Sequence, residues 1–152
     1  YCPDFDGNGK VHVSVNFIDR SQRGGTSQYD DTQRQRLTSE LEYGTAMLII
    51  TDEGFTERVN FEDKSKDEEA MRAFFLPQTD KFTEEELFCG VGIRANKTKL
   101  PEKAEWNDCP DNVIIAVRTG LDSKTSNDEQ NAIYRERAEI VLENIVYNKT
   151  VN

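Results

Sequence analysis

Val113-Ile114-Ile115-Ala116-Val117 is an unbroken apolar run of strand length. Five consecutive apolar residues leave no polar face, so a strand here is covered on both sides. Strands of this kind sit inside sheets with helices above and below, and the expectation is an α/β fold of three layers. Its sheet is mainly parallel, carries one antiparallel hairpin strand, and has helices on both faces. Working outward, residues 121–126 read as a loop and residues 127–143 as a long helix. Ala132, Ile133, Ala138, Ile140 and Val141 form the inner stripe of that helix. Residues 144–151 read as a closing strand. Before the apolar run, residues 97–110 read as a polar loop containing Trp106.

The N-terminal half supplies the other elements. Residues 4–9, Asp-Phe-Asp-Gly-Asn-Gly, form a turn cluster. Residues 10–18 then alternate, with Val11, Val13, Val15 and Phe17 against His12, Ser14 and Asn16, the period of a half-buried strand. Asp30 or Asp31 caps a helix reaching about Glu42, with Leu37 and Leu41 inward and Gly44 at its end. Two β-rich runs, 45–51 and 55–61, flank Asp52-Glu53-Gly54 and predict a hairpin. A helix over residues 67–76 places Ala70, Met71, Phe74 and Phe75 on its apolar face, and Pro77 stops it. Thr83 with Glu86 has the spacing of a capping box and predicts a helix over residues 83–95, against the cost of Gly90 and Gly92.

This order of elements resembles the von Willebrand factor type A domain. The family's first strand runs into an Asp-x-Ser-x-Ser metal loop, and Asp19-Arg20-Ser21-Gln22-Arg23 holds the first two of those three residues. Residues 87–95 are similar to the family's Thr-x-Thr-Gly helix start without its threonines. Val117-Arg118-Thr119-Gly120 stands in place of the Thr-Asp-Gly strand end. The resemblance implies one domain over residues 1–152, lacking the family's last helix and strand. It implies a degenerate metal site. Asp19 and Ser21 match, but Arg23, Leu87 and Thr119 occupy the remaining positions, and a hard divalent cation needs about six oxygen ligands. No metal is expected at Asp19, Ser21 and Thr119. The same arrangement makes the first strand and the 112–117 strand parallel neighbours, which implies a Cys2–Cys109 disulfide and leaves Cys89 a free, buried thiol.

Charge and composition exclude several classes of function. The 152 residues are 36% hydrophobic and 32% charged, with a formal net charge of −10. That balance repels a phosphate backbone and an anionic membrane surface, so nucleic-acid binding is not expected. No run approaches the roughly 18 apolar residues of a membrane span, so membrane insertion is not expected either. Asp4, Asp6 and Asn8 with Gly9 match the first half of a calcium loop. Val15 stands where its bidentate glutamate belongs, which leaves a weak calcium site at most and no other cofactor. The single histidine, His12, lies on the polar side of its strand, and the three cysteines have no zinc spacing. Two sequons, at Asn96 and Asn148, point to glycosylation and to a secreted or extracellular protein. These features predict a non-catalytic adhesion or protein-binding domain whose partner is another protein or a copy of itself. The alternatives are a structural subunit of an extracellular filament or matrix assembled by strand exchange, and a secreted hydrolase.

Overall fold

The protein is described by a computed structural model that covers residues 2–18, 28–54, 67–121 and 126–147. Its helices are α1 (Gln28–Tyr43), α2 (Asp67–Phe74), the short α3 (Leu100–Lys103) and α4 (Asp128–Tyr147). The strands are β1 (Leu48–Asp52), β2 (Leu87–Phe88), β3 (Gly92–Arg94) and β4 (Val113–Val117). They form one sheet in the order β1-β4-β3-β2.

Every pairing in that sheet is antiparallel, which corrects the expected parallel sheet. β4 lies between β1 and β3, with Ile50 opposite Ile115 on one side and Ile93 opposite Ile115 on the other. Ile114, Ile115, Ala116 and Val117 are all fully buried. Ile115 and Val117 pack with Leu142, Ile145 and Val146 of α4. Ile114 and Ala116 pack with Met71 of α2, with Phe75 just beyond it, and with Leu41 of α1. An unbroken apolar run therefore reported burial on both faces, which an antiparallel strand meets as well as a parallel one when helices cover both sides. The mainly parallel α/β fold implied by the type A resemblance is not the fold of this chain.

Three further expectations are corrected. Residues 10–18 form no strand. Residues 83–95 form a turn and the β2–β3 hairpin rather than a helix. Thr83 and Glu86 do meet, but only in one direction, the Thr83 amide and hydroxyl both donating to Glu86 Oε2 at 2.9 and 2.7 Å while the Glu86 amide donates to the Thr83 carbonyl. One turn follows and then the chain reverses at Cys89 and Gly90, both with positive φ, 52° and 72°. Positive φ at two successive residues suits a tight hairpin turn and is hostile to a right-handed helix. Gly92 packs closely on β4, and a Cβ there would stand 3.0 Å from Ile114 Cδ1, tight enough that Ile114 would have to shift. Finally, residues 144–147 continue α4 instead of starting a strand.

β1 pairs with β4, and the turn after it is held by the Gly54 amide donating to Asp52 Oδ1 at 2.8 Å. The expected hairpin arm at 55–61 lies outside the described residues. α1 begins before Asp30 and Asp31, so neither caps it, and Asp31 instead pairs with Arg34. Gly44 does close the helix, its amide donating to Glu40 O at 3.0 Å. The expected loop at 97–110 contains α3, with Leu100 and Cys109 packed against the α4 side of the core. Arg118 follows β4 and is only 3% exposed. It donates to the carbonyls of Leu41 at 2.7 Å, Ala46 at 3.4 Å and Glu40 at 3.5 Å, and lies over the Phe74 ring. It thereby supplies a partner to the Leu41 carbonyl in the last turn of α1 and ties that helix end to the Ala46 carbonyl beyond it. Burial pushes the Arg118 guanidinium below its ordinary value, partly offset by Glu40.

Candidate functional site

The N-terminal arm, residues 2–18, joins an acidic turn to four exposed apolar side chains, Val11, Val13, Val15 and Phe17. It opens with a turn built on Asp4. Asp4 Oδ1 accepts the amides of Gly7 at 2.9 Å and Asp6 at 3.3 Å, and Oδ2 accepts the amide of Gly9 at 2.6 Å. Asp6 accepts the Asn8 amide through Oδ1 at 3.2 Å and the Asn8 side-chain Nδ2 through Oδ2 at 2.7 Å. Asn8 Oδ1 accepts the Lys10 amide at 2.8 Å. Gly7 and Gly9 take positive φ, 70° and 78°, and let five residues wrap one carboxylate. The Gly9 amide holds the Asp4 carboxyl below its ordinary value against the opposing effect of desolvation, with lesser help from Asp6 and Gly7.

The structure thus turns the carboxylates expected to hold calcium toward their own backbone. Asp4, Asp6 and Asn8 are brought together, but all three spend oxygens on amides within the turn. Val15, at the glutamate position of the calcium pattern, is exposed. Among the described residues no group of three or more His, Cys, Asp or Glu side chains is placed to hold a metal ion.

Beyond the turn the chain runs extended past α1. Asn16 Nδ2 donates to Glu40 Oε2 at 2.9 Å, and Arg36 donates to the carbonyl of Phe17 at 3.4 Å. A shallow cavity of about 350 Å³ lies here, lined by Asn16, Ile18, Arg36, Glu40 and Tyr43 among others. Ile18 is half-buried at this contact, but the apolar side chains of residues 11–17 stay in water. Val11, Val13, Val15 and Phe17 are 48, 70, 82 and 76% exposed. Residues 11–18 make no backbone–backbone hydrogen bond to another described residue. The arm therefore has the alternation of a strand, a backbone without a ladder, and an apolar face in water.

The remaining expected site residues are dispersed. Asp19, Ser21, Arg23 and Asn148 lie outside the described residues. Thr119 is spent on α2, its hydroxyl donating to the carbonyls of Phe74 and Ala73 at 3.3 and 3.4 Å. Leu87 is a buried core residue of β2, on the opposite face from α2, and not the rim of a metal site. No disulfide joins Cys2, Cys89 and Cys109, and all three are half-buried. The expected Cys2–Cys109 bridge rested on parallel neighbouring strands, which the antiparallel sheet removes. Burial, with Asp111 beside it, raises the Cys109 thiol above its ordinary value. Asn96 sits in a 3-10 turn with Nδ2 on Asp111 Oδ1 at 2.6 Å, and its sequon partner Thr98 is buried with its hydroxyl on Ala95 O.

No family model, no curated protein and no solved structure matches this chain. No described helix is long and apolar enough to cross a membrane. Two features escaped the sequence reading. Arg118 was legible only as a positive residue after a strand. The exposed state of the 10–18 segment carries no local signal, since its alternation is that of an ordinary sheet strand.

Proposed function

We propose that this chain is an extracellular, non-catalytic assembly subunit that adds residues 10–17 as a β-strand to a sheet edge of a second copy of itself. One observation carries the reading: Val11, Val13, Val15 and Phe17 alternate in water on a backbone that makes no ladder bond to the described residues. Strand addition supplies both missing terms, main-chain bonds to an edge and burial of every second side chain. Burying four such side chains is worth about 1.5–3 kcal/mol each at most, the same order as an association cost of about 4–15 kcal/mol, so the main-chain bonds to the edge are needed as well. Charge favours a like copy as the acceptor. Residues 10–18 contain Lys10 and His12 and no carboxylate, whereas the whole chain carries −10. The two sequons support passage through a secretory pathway, with Asn96 and Asn148 as the acceptors.

Light scattering across a concentration series tests the assembly. The wild type is expected to grow in mass with concentration, and Val13→Asp with Val15→Asp is expected to remain a single chain with an unchanged melting curve. A wild type that stays at one chain throughout overturns the reading. Intact mass of native material before and after glycosidase treatment tests the secretory part, and an unshifted mass counts against it.

A further inference from the structure

We propose that Asn8 is a site of self-catalysed deamidation, with Gly9 nitrogen as nucleophile and Asp4 as the base that takes its proton. Asn8-Gly9 is the only Asn-Gly pair in the chain, and glycine offers no side chain to obstruct closure of a five-membered ring onto the asparagine. Each role in that closure has an occupant. The Gly9 amide hydrogen already lies on Asp4 Oδ2 at 2.6 Å. Asn8 Oδ1, where negative charge develops, accepts the Lys10 amide at 2.8 Å, as an oxyanion donor would be placed. Asn8 Nδ2, the leaving nitrogen, is held by Asp6 Oδ2 at 2.7 Å. The turn is exposed, so water reaches all of it.

The bonds balance without an oxidant or a co-reactant other than water. Gly9 nitrogen attacks Asn8 Cγ as its proton passes to Asp4 Oδ2, and the N–Cγ bond forms. The tetrahedral oxyanion collapses, the Cγ–Nδ2 bond breaks, and the departing nitrogen takes the proton from Asp4 and leaves as ammonia. Water then opens the succinimide at either carbonyl and returns a proton to Gly9 nitrogen, giving aspartate or isoaspartate at position 8. The product adds a third carboxylate beside Asp4 and Asp6 and one negative charge immediately before residues 10–17. This inference does not depend on how that segment is used.

The test is peptide mapping of the full chain after incubation at neutral and mildly alkaline pH, with isoaspartate detection. Deamidation is expected at Asn8 ahead of every other asparagine. Asp4→Asn keeps an acceptor for the Gly9 amide but removes the base, and is expected to slow the reaction roughly tenfold, a modest effect for a positioned base because the turn is open to water. Asp4→Glu is expected to recover part of the rate. Incubation in urea is expected to slow it as the turn dissolves. Retention of the Asn8 amide overturns the site. A rate unchanged in Asp4→Asn, or unchanged in urea, overturns the role of the turn and leaves only the dipeptide.

Discussion

Residues 113–117 and residues 10–17 both carry β-prone side chains, yet one is the centre of the sheet and the other has no strand partner among the described residues. β4 is apolar at every position and meets a helix layer on each face and a strand on each edge. The arm is apolar at every second position, and what holds it to α1 is polar: Asn16 on Glu40 and Arg36 on the Phe17 carbonyl. A strand is therefore not a property of a segment. Its backbone groups need neighbours on at least one edge, and its apolar face needs a surface. β4 finds both within the chain, and residues 11–17 find neither among the described residues.

Substitutions can break this contrast, and the largest expected effect is in β4. Ile115→Ala should cost about 3–4 kcal/mol, because a fully buried isoleucine leaves a cavity between α4 and the sheet. Val13→Ala should stay within about 0.5 kcal/mol, as for exposed positions in general. Urea unfolding of the two at one dilute protein concentration decides it, and equal losses would mean that the arm is packed.

Next comes Arg118→Met, expected to cost about 2–3 kcal/mol through lost charge-assisted bonds to the end of α1. Hydrogen exchange should show the last turn of α1 opening before β4 does. Gly92→Ala should cost about 1–2 kcal/mol, since the new methyl presses on Ile114 at the β3–β4 contact. A neutral outcome would show that the sheet yields there.

The smallest effect sharpens the comparison through pH. The Gly9 amide lowers Asp4, and the Thr83 amide followed by its hydroxyl lowers Glu86. A carboxyl lowered in the folded state contributes stability above its ordinary value, and that contribution is lost as pH falls through the folded value. The turns at 4–9 and 83–86 should therefore loosen below the ordinary values of 3.8 and 4.5. β4 contains no ionisable side chain and should keep its amide protection in the same titration. Proton shifts of the Gly9 and Thr83 amides against Ile115 measure this.

Much of the element pattern was legible from local chemistry. Gly44 marked the end of α1, and Asp52-Glu53-Gly54 marked a turn. The stretch 83–95 misled because its capping pair is real while the two glycines behind it were weighed only as a cost to a helix. Their other reading, positive φ at Gly90 and a close approach at Gly92, belongs to a hairpin. The candidate site was half legible. Asp4, Asp6 and Asn8 were picked out and do gather, but residue types alone could not say that their oxygens would face amides.

By itself the amino-acid sequence determined the C-terminal end of the helix at 28–43, the helices near 67–74 and 128–143, the turn at 52–54, and that residues 113–117 are covered on both faces. Those are consequences of side-chain period, glycine conformation and solvation over a few residues. Only the tertiary structure decided that β4's neighbours run antiparallel to it, that residues 87–94 reverse, and that residues 10–17 stay out of the sheet. Strand direction and membership depend on which distant segments reach an edge first and bury more surface there. A period-two pattern is the same whether its partner lies in the chain or outside it.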